Sequence, residues 1–324
     1  MCTHSFAQSI AKMRSSIFMK ACFFAGFLLL MGCQGTPQAD RLAQQAPTGL
    51  PESHLIESVP FYAQEQYFCG PTTLSEVFEY YGHSISANEI APQIFIPDKE
   101  GSLQLEMITA TRQYDFLPYA ERGTLTKLMQ LVSSDIPVIV FQNLSIQLLP
   151  QWHYAVVTGF DLTTRTMTLH TGLTPNHTMS FELFEKTWGR GNYWLLAPVP
   201  PNKISDKMNS FTYISAAYDM LEVGKDEQAI AFLGTATKQW PNQWLAYFLL
   251  GNYYLDEQPE KAVKWFEEGY QVGQSQAAYI NNYAYALASN GNLAKAQILI
   301  EEALLRFPND DNVKKTALTI KAAE

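Results

Sequence analysis

The stretch Gln64-Glu-Gln-Tyr-Phe-Cys69-Gly-Pro-Thr-Thr-Leu-Ser-Glu-Val-Phe-Glu-Tyr-Tyr-Gly82 decides how this chain is read. A loop ends in a cysteine and runs directly into a helix. Leu74, Val77, Phe78 and Tyr81 recur at i, i+3, i+4 and i+7, one face of an amphipathic helix. Pro71 suits the first turn, where a missing N–H is harmless. Gly82 stands where a left-handed C-terminal cap is expected. Cys69 therefore falls at the helix N-terminus, where unpaired amides and the helix dipole favour negative charge. The expectation is a thiolate with a lowered pKa, nucleophilic near neutral pH. The competing reading is a small buried hydrophobe, the commoner fate of a lone free cysteine.

Upstream, Lys12, Arg14 and Lys20 precede an apolar run from Ala21 to Met31, closed by Leu30-Met31-Gly32-Cys33. A positive start, a short apolar run and a small residue before the cut describe a secretory signal, too short to span a membrane. The Leu-x-Gly-Cys ending resembles a bacterial lipobox, in which Cys33 is acylated. The alternative is an ordinary signal with a chance cysteine. Residues before Met13 add little, which points to Met13 or Met19 rather than Met1 as the start. Without residues 1–32 the chain loses three basic and no acidic groups, so its net charge moves from −9 to −12. That charge argues against a nucleic-acid partner, since phosphate binding needs clustered Lys and Arg. Of four cysteines, Cys2 and Cys22 leave with the signal. If Cys33 carries lipid, Cys69 is the single thiol of a secreted chain, which favours the nucleophile reading. Gln34 rather than Asp after Cys33 suits sorting to the outer membrane, facing the periplasm.

The pattern divides the chain into a signal and lipobox (1–33), a flexible Gln/Ala/Pro/Thr-rich tether (34–57), a first domain (58–200), a linker (201–208) and a helical domain (209–324). In the first domain, Ser86 to Glu89 reads as a capping box on a short helix limited by Pro92. Ser102 is expected to cap a helix over 103–113, and Thr124 another. Pro137–Phe141, His153–Asp161 and Arg165–His170 read as strands, the last two as a hairpin, followed by a helix over Phe181–Trp188 and a strand over Tyr193–Val199. Helices first and an antiparallel sheet afterwards is an α+β order. Beyond the linker, Ala229, Ala262 and Ala296 are spaced by 33 and 34 residues, each followed seven residues on by Ala236, Gly269 or Ala303. Pro241 and Pro308 end the first and third units. This resembles the tetratricopeptide repeat, in about three units, with the second one residue short and lacking its proline. Its aromatic residues are expected to be mostly core between helices, with a few lining a groove for a protein partner.

A nucleophilic cysteine needs a base. His54 lies at the tether edge and His83 follows the helix; His170 and His177 lie further on. His153 stands at the mouth of an apolar strand, where a ring can be held firmly enough to act as a base. A structural histidine at a sheet end is the rival reading.

The set Gln64-x4-Cys69-Gly-Pro-x2-Leu74 with His153-Tyr-x-Val-Val-x-Gly159 resembles the papain-like peptidases that cleave double-glycine leaders from bacteriocins. It is similar still more closely to their relatives in bacterial lipoproteins with C-terminal tetratricopeptide repeats. The resemblance implies a papain-like α+β cysteine peptidase domain followed by an all-α repeat solenoid. It implies Cys69 as nucleophile, His153 as general base, and Gln64 with the Cys69 N–H as oxyanion donors; Gln66 is the rival to Gln64. Its substrate would be a peptide or protein. The family's third member is usually an Asp some 16–18 residues after the histidine. Here that stretch is His170-Thr171-Gly172, with no carboxylate. Asp161 lies eight residues along the same strand, roughly 25 Å away at about 3.3 Å per residue. Thr171 or His170 remains to orient the ring, or Asn176 through its amide, or the site is a dyad. Two rivals follow: a degenerate peptidase fold serving as a binding scaffold, and an acyl transferase using the same pair.

No cofactor or metal is expected. The mature chain has no Cys-x2-Cys and no His-x3-His pair, and Gly189-Arg-Gly191 lacks the lysine of a phosphate loop.

Overall fold

A computed structural model describes residues 35–45, 47–64, 67–95 and 101–323. The signal, Cys33 and Gln66 lie outside the described residues.

The segment read as a tether is docked instead. Helix α1 (Pro37–Gln44) buries Ala39 completely. Its N-terminal amides at Gln38 and Ala39 donate to the buried carboxylate of Glu185 at 2.7 to 3.1 Å, a favourable place for an anion. Strand β1 (Ser53–Leu55) then pairs with the far half of β4. Polar composition hid this, because the anchoring is largely polar: Gln38 Oε1 accepts the Leu125 N–H at 2.7 Å and Ala39 O accepts from Arg165 at 3.0 Å, beside the Glu185 carboxylate.

Helix α2 (Cys69–Tyr80) starts at the cysteine as expected. Gly82 has φ +87°, its N–H donates to Glu79 O, and His83 N–H reaches Phe78 O at 2.9 Å, a Schellman cap. The one-face reading falls short: every residue from Gly70 to Phe78 is buried. Helix α3 (Ala87–Ile94) has the Ser86/Glu89 capping box and runs past Pro92 to Ile94. Helix α4 (Gln104–Gln113) has Leu103 at its N-cap and no side-chain cap; Ser102 instead bridges Phe95, and its buried hydroxyl lacks a partner among the described residues. Thr124 caps α5 (Leu125–Val132) through the N–H of Lys127.

The sheet is antiparallel. Its strands β2 (Leu117–Arg122), β3 (Val138–Asn143), β4 (Trp152–Asp161), β5 (Thr166–Thr171), β6 (Thr174–Ser180) and β7 (Trp194–Val199) lie in the order β2-β7-β3-β4-β5-β6. Helix α6 (Phe181–Arg190) packs on β3. β4 is central and apolar: Tyr154 to Val157 are buried between α2 and α5. β2 and β6 had weak signals, because β2 holds Pro118 and two charges, and β6 is exposed nearly throughout.

The linker is a fixed crossover. Pro198 and Val199 lie inside β7 opposite Pro118 and Leu117. Ser205 and Met208 are buried, and Ser205 Oγ meets Ser134 Oγ at 2.9 Å. The helices α7 (Ser210–Glu222) and α8 (Asp226–Gln239), α9 (Trp244–Tyr254) and α10 (Pro259–Glu268), and α12 (Ala277–Ser289) and α13 (Leu293–Arg306) form three hairpins. α14 (Asp311–Ala322) closes the stack, and a short α11 (Tyr270–Gly273) stands where the second unit lacks its proline. Ala229, Ala262 and Ala296 are fully buried. A Cβ on Gly251 would lie 2.6 Å from the Phe266 ring, so the small residue is set by helix approach. Most aromatics fill the helix interfaces, including Tyr247, Phe266, Tyr279 and Tyr283. One apolar core runs from the sheet into α7, α8 and α9, including Tyr119, Tyr213, Ile214, Ala217 and Met220. Arg112–Asp219 at 2.6 Å and Lys225–Asp115 at 2.7 Å seal its edge. The peptidase-like domain and the first repeat are thus one packed body. Among the described residues no helix is long and apolar enough to cross a membrane.

Candidate active site

Cys69 opens α2 and is half-buried against β4. Tyr67, two residues before it, adopts φ +69° and turns the chain into the helix. Burial pushes the Cys69 thiol up from its ordinary value, and the backbone N–H groups of Tyr154, Gly70 and Cys69 itself pull it partly back. This corrects the expected low pKa. The helix terminus supplies its amides, yet the thiol sits too deep for them to prevail. A Cβ on Gly70 would come within 2.9 Å of Ser102 Oγ and 3.1 Å of Met107 Sδ, so α4 seals the site from behind.

His153 is the second residue of β4, paired with Gln142 of β3. Its Nε2 lies 2.8 Å from Thr171 Oγ1, at the end of β5. Burial lowers its pKa to about 4. The resting pair is accordingly a neutral thiol and a neutral imidazole. No hydrogen bond among the described residues joins Cys69 to His153; the Tyr154 N–H at the thiol places the cysteine one residue along β4 from His153.

Of the three residues read as possible third members, Thr171 meets the ring. His170 and Asn176 do not. Neighbours on a strand face opposite ways, so His170 turns from His153 and places Nδ1 3.2 Å from Pro60 O and Nε2 3.2 Å from Asn176 Oδ1. Its edge-on ring contact is with Phe61. Asp161 is remote as expected; its carboxylate accepts from Thr164 N–H at 2.7 Å.

Gln64 is buried in an extended strap, Pro60–Gln64. Its N–H donates to Gly172 O at 2.9 Å and its Oε1 accepts from Gly172 N–H at 3.2 Å. Gly172, at φ +56°, makes the two-residue turn between β5 and β6, a conformation that favours glycine. Gln64 Nε2 is buried and has no hydrogen-bond partner among the described residues. Thr171 and Gly172 are adjacent, so one hairpin fixes both the imidazole and the glutamine. Sequence reading missed that role for Gly172, although a glycine between two short strands signals such a turn. It also missed Glu76, fully buried on α2, for which the helical pattern gave no signal.

A cavity of about 390 Å³ opens beside the site, lined by Tyr62, Phe68, Thr72, Ser75, Glu79 and Ile85 among others. No group of three or more His, Cys, Asp or Glu side chains among the described residues stands close enough to hold a metal ion. The chemistry on offer is therefore a thiol, a neutral base oriented by a hydroxyl, and a buried amide donor.

No curated protein matches this chain. Among solved structures, a C39-like peptidase from Bacillus anthracis is 16% identical, with 46% of this chain and 98% of that one covered and a TM-score of 0.39. The peptidase domain of Streptococcus ComA, a bi-functional ABC transporter, is 23% identical, with 43% and 98% covered and a TM-score of 0.35. The second TPR domain of human RPAP3, solved with an HSP70 peptide, is 19% identical, with 36% and 98% covered and a TM-score of 0.34. At these values the likenesses carry no argument about activity. Residues 56–193, the stretch holding Gln64, Cys69, His153 and Thr171, match the model of the Peptidase_C39 like family, and the chain joins this cysteine-peptidase fold to a tetratricopeptide-type solenoid.

Proposed function

We propose that this protein is a lipid-anchored cysteine peptidase of the bacterial envelope, of the bacteriocin-processing type, and that its repeats recruit a protein substrate or partner. The observation that carries the reading is the buried Gln64 Nε2, without a hydrogen-bond partner among the described residues and held against the same hairpin that fixes His153. A buried donor without a partner is unfavourable and suits a site where negative charge develops only during reaction. In the proposed reaction Thr171 Oγ1 accepts a hydrogen bond from His153 Nε2–H, a tautomer that leaves Nδ1 free as the base. Cys69 Sγ attacks the peptide carbonyl carbon while its proton passes to Nδ1. The oxyanion takes hydrogen bonds from Gln64 Nε2 and the Cys69 N–H. Collapse breaks the C–N bond, and the imidazolium protonates the leaving amine. Water, deprotonated by the same imidazole, then hydrolyses the thioester.

Acylation of Cys33 and a periplasm-facing outer-membrane location rest on the sequence of the signal region. The short leash from Cys33 to the docked α1 would then keep the domain close to the membrane. The test is digestion of a diverse peptide library followed by mass spectrometry. Cleavages made by the wild type should vanish in Cys69→Ala and His153→Ala; cleavages that persist in both refute the mechanism. One observation favours the scaffold reading: the neutral Thr171 at the position where the resembled family has a carboxylate. A wild type that cleaves nothing, with Cys69 inert to acylation, would support it. Added amines captured in the products would instead support the acyl transferase.

A further inference from the structure

Glu76 is fully shielded from solvent on α2, and the reaction proposed above does not use it. Its Oε1 accepts the backbone N–H of Tyr62 at 2.9 Å, while its Oε2 has no partner among the described residues. One turn further along α2, Glu79 accepts the Tyr62 hydroxyl. Tyr62 lies two residues before Gln64 on the strap. The strap is thus held by two elements: α2 through Glu76 and Glu79, and the β5–β6 hairpin through His170 and Gly172. A buried carboxyl with one hydrogen bond weakens a core relative to a well-packed apolar side chain. Its one polar contact among the described residues is with the strap, so its contribution lies there.

We infer that Glu76, with Glu79 behind it, is a positioning residue: through Tyr62 it sets the strap so that Gln64 Nε2 is presented to the developing oxyanion. This rests on the oxyanion role proposed for Gln64. Glu76 touches no reacting atom; it acts through Tyr62 and the strap.

The test compares two reactions of Cys69 in the full chain in detergent, with the Cys69→Ala variant subtracted to remove the other thiols. With p-nitrophenyl acetate, Sγ bonds to the acetyl carbon, the ester C–O bond breaks, and p-nitrophenolate leaves as the thiol proton passes to His153. That path goes through an oxyanion. With iodoacetamide, the S–C bond forms and the C–I bond breaks with no oxyanion. The ratio of the two rates isolates the oxyanion donor. Gln64→Ala should lower the ratio by about 100-fold. Glu76→Leu should lower it by about tenfold, since small misplacements are expensive in rate. Glu76→Gln should stay within about twofold of the wild type, because its amide oxygen still accepts the Tyr62 N–H. A wild-type ratio in Glu76→Leu overturns the inference, as does an equal loss in Glu76→Leu and Glu76→Gln. If Gln64→Ala keeps the wild-type ratio, or the wild type is alkylated and never acylated, the oxyanion reading falls and takes this inference with it. Should Glu76→Leu fail to fold, Tyr62→Phe decides: loss of the Glu79 contact should lower the ratio about threefold, and no change overturns the inference.

Discussion

Replacing Glu76 by glutamine should change the pH dependence of stability in a calculable way. Burial pushes the Glu76 carboxyl from 4.5 up to about 8, and the Tyr62 N–H opposes this only in part. In the unfolded chain the carboxyl sheds its proton near 4.5; in the folded chain it keeps the proton until about 8. Between these values the native state binds more protons than the unfolded state, so wild-type stability falls as pH rises. Below 4.5 both states are protonated and the penalty is absent; above 8 both are ionised and it is fully present. At about 1.4 kcal/mol per pH unit, the interval amounts to roughly 5 kcal/mol as an upper bound, and about 2–4 kcal/mol is a realistic size once the ionised site relaxes and admits water. Glu76→Gln lacks the titration. Urea unfolding of both proteins from pH 5 to pH 9 should show the variant gaining on the wild type by that amount, with most of the change below pH 8. Parallel curves across the whole range would refute the assignment of a neutral, buried carboxyl. The same variant is the one expected to retain acylation, so lost activity and altered stability are read from one protein.

Three further outcomes follow from the same geometry. Cys69 should react with iodoacetamide more slowly at pH 7 than a small free thiol and show no low-pH plateau, while the His153 ring resonances titrate near pH 4; a thiolate plateau below neutrality would contradict the neutral pair. Thr171→Val removes the hydroxyl 2.8 Å from His153 Nε2 and should slow acylation by about two- to tenfold, the rate equivalent of one hydrogen bond, with stability nearly unchanged. A chain ending at Lys203 uncovers Tyr119 and loses the packing of Ile214, Ala217 and Met220, so about 5 kcal/mol of apolar burial goes with it; near-ultraviolet circular dichroism should show lost tertiary structure, and a cooperative melt at the full-length temperature would refute the shared core.

What was legible in the sequence was whatever a local pattern encodes. The Cys69 helix with its Gly82 cap, the Ser86 and Thr124 caps, the β4–β5 hairpin and the repeat period all rest on short-range spacing. What was not legible depends on residues far apart in the chain. Glu185 draws in a helix 146 residues away, which no composition rule reveals for residues 37–44. The partner of His153 could be narrowed to three residues but not chosen, because the choice turns on which face of the sheet each side chain takes. The pKa of Cys69 was misjudged for a related reason. Helix position is visible in the sequence, whereas depth of burial is set by α4 and β4 closing over it.

The neutrality of the pair and the strap belong to one argument. A resting thiolate–imidazolium pair needs an environment that favours both charges. Here burial disfavours the charge on each, and Thr171 offers His153 a dipole where a carboxylate would offer a compensating charge. In the proposed reaction charge separates only as sulfur attacks, and it separates in a poorly solvated place where each aligned dipole counts for more than in water. The oxyanion donor is consequently needed at the moment of attack, and a glutamine free to turn would have to be ordered in that same step. Gln64 is already ordered, by two bonds to Gly172 and by the grip of Glu76 and Glu79 on Tyr62. On this argument the buried carboxyl weakens the fold in order to keep a donor aimed at a charge that exists only in passing, which is the form that electrostatic preorganisation takes when no permanent ion pair is present.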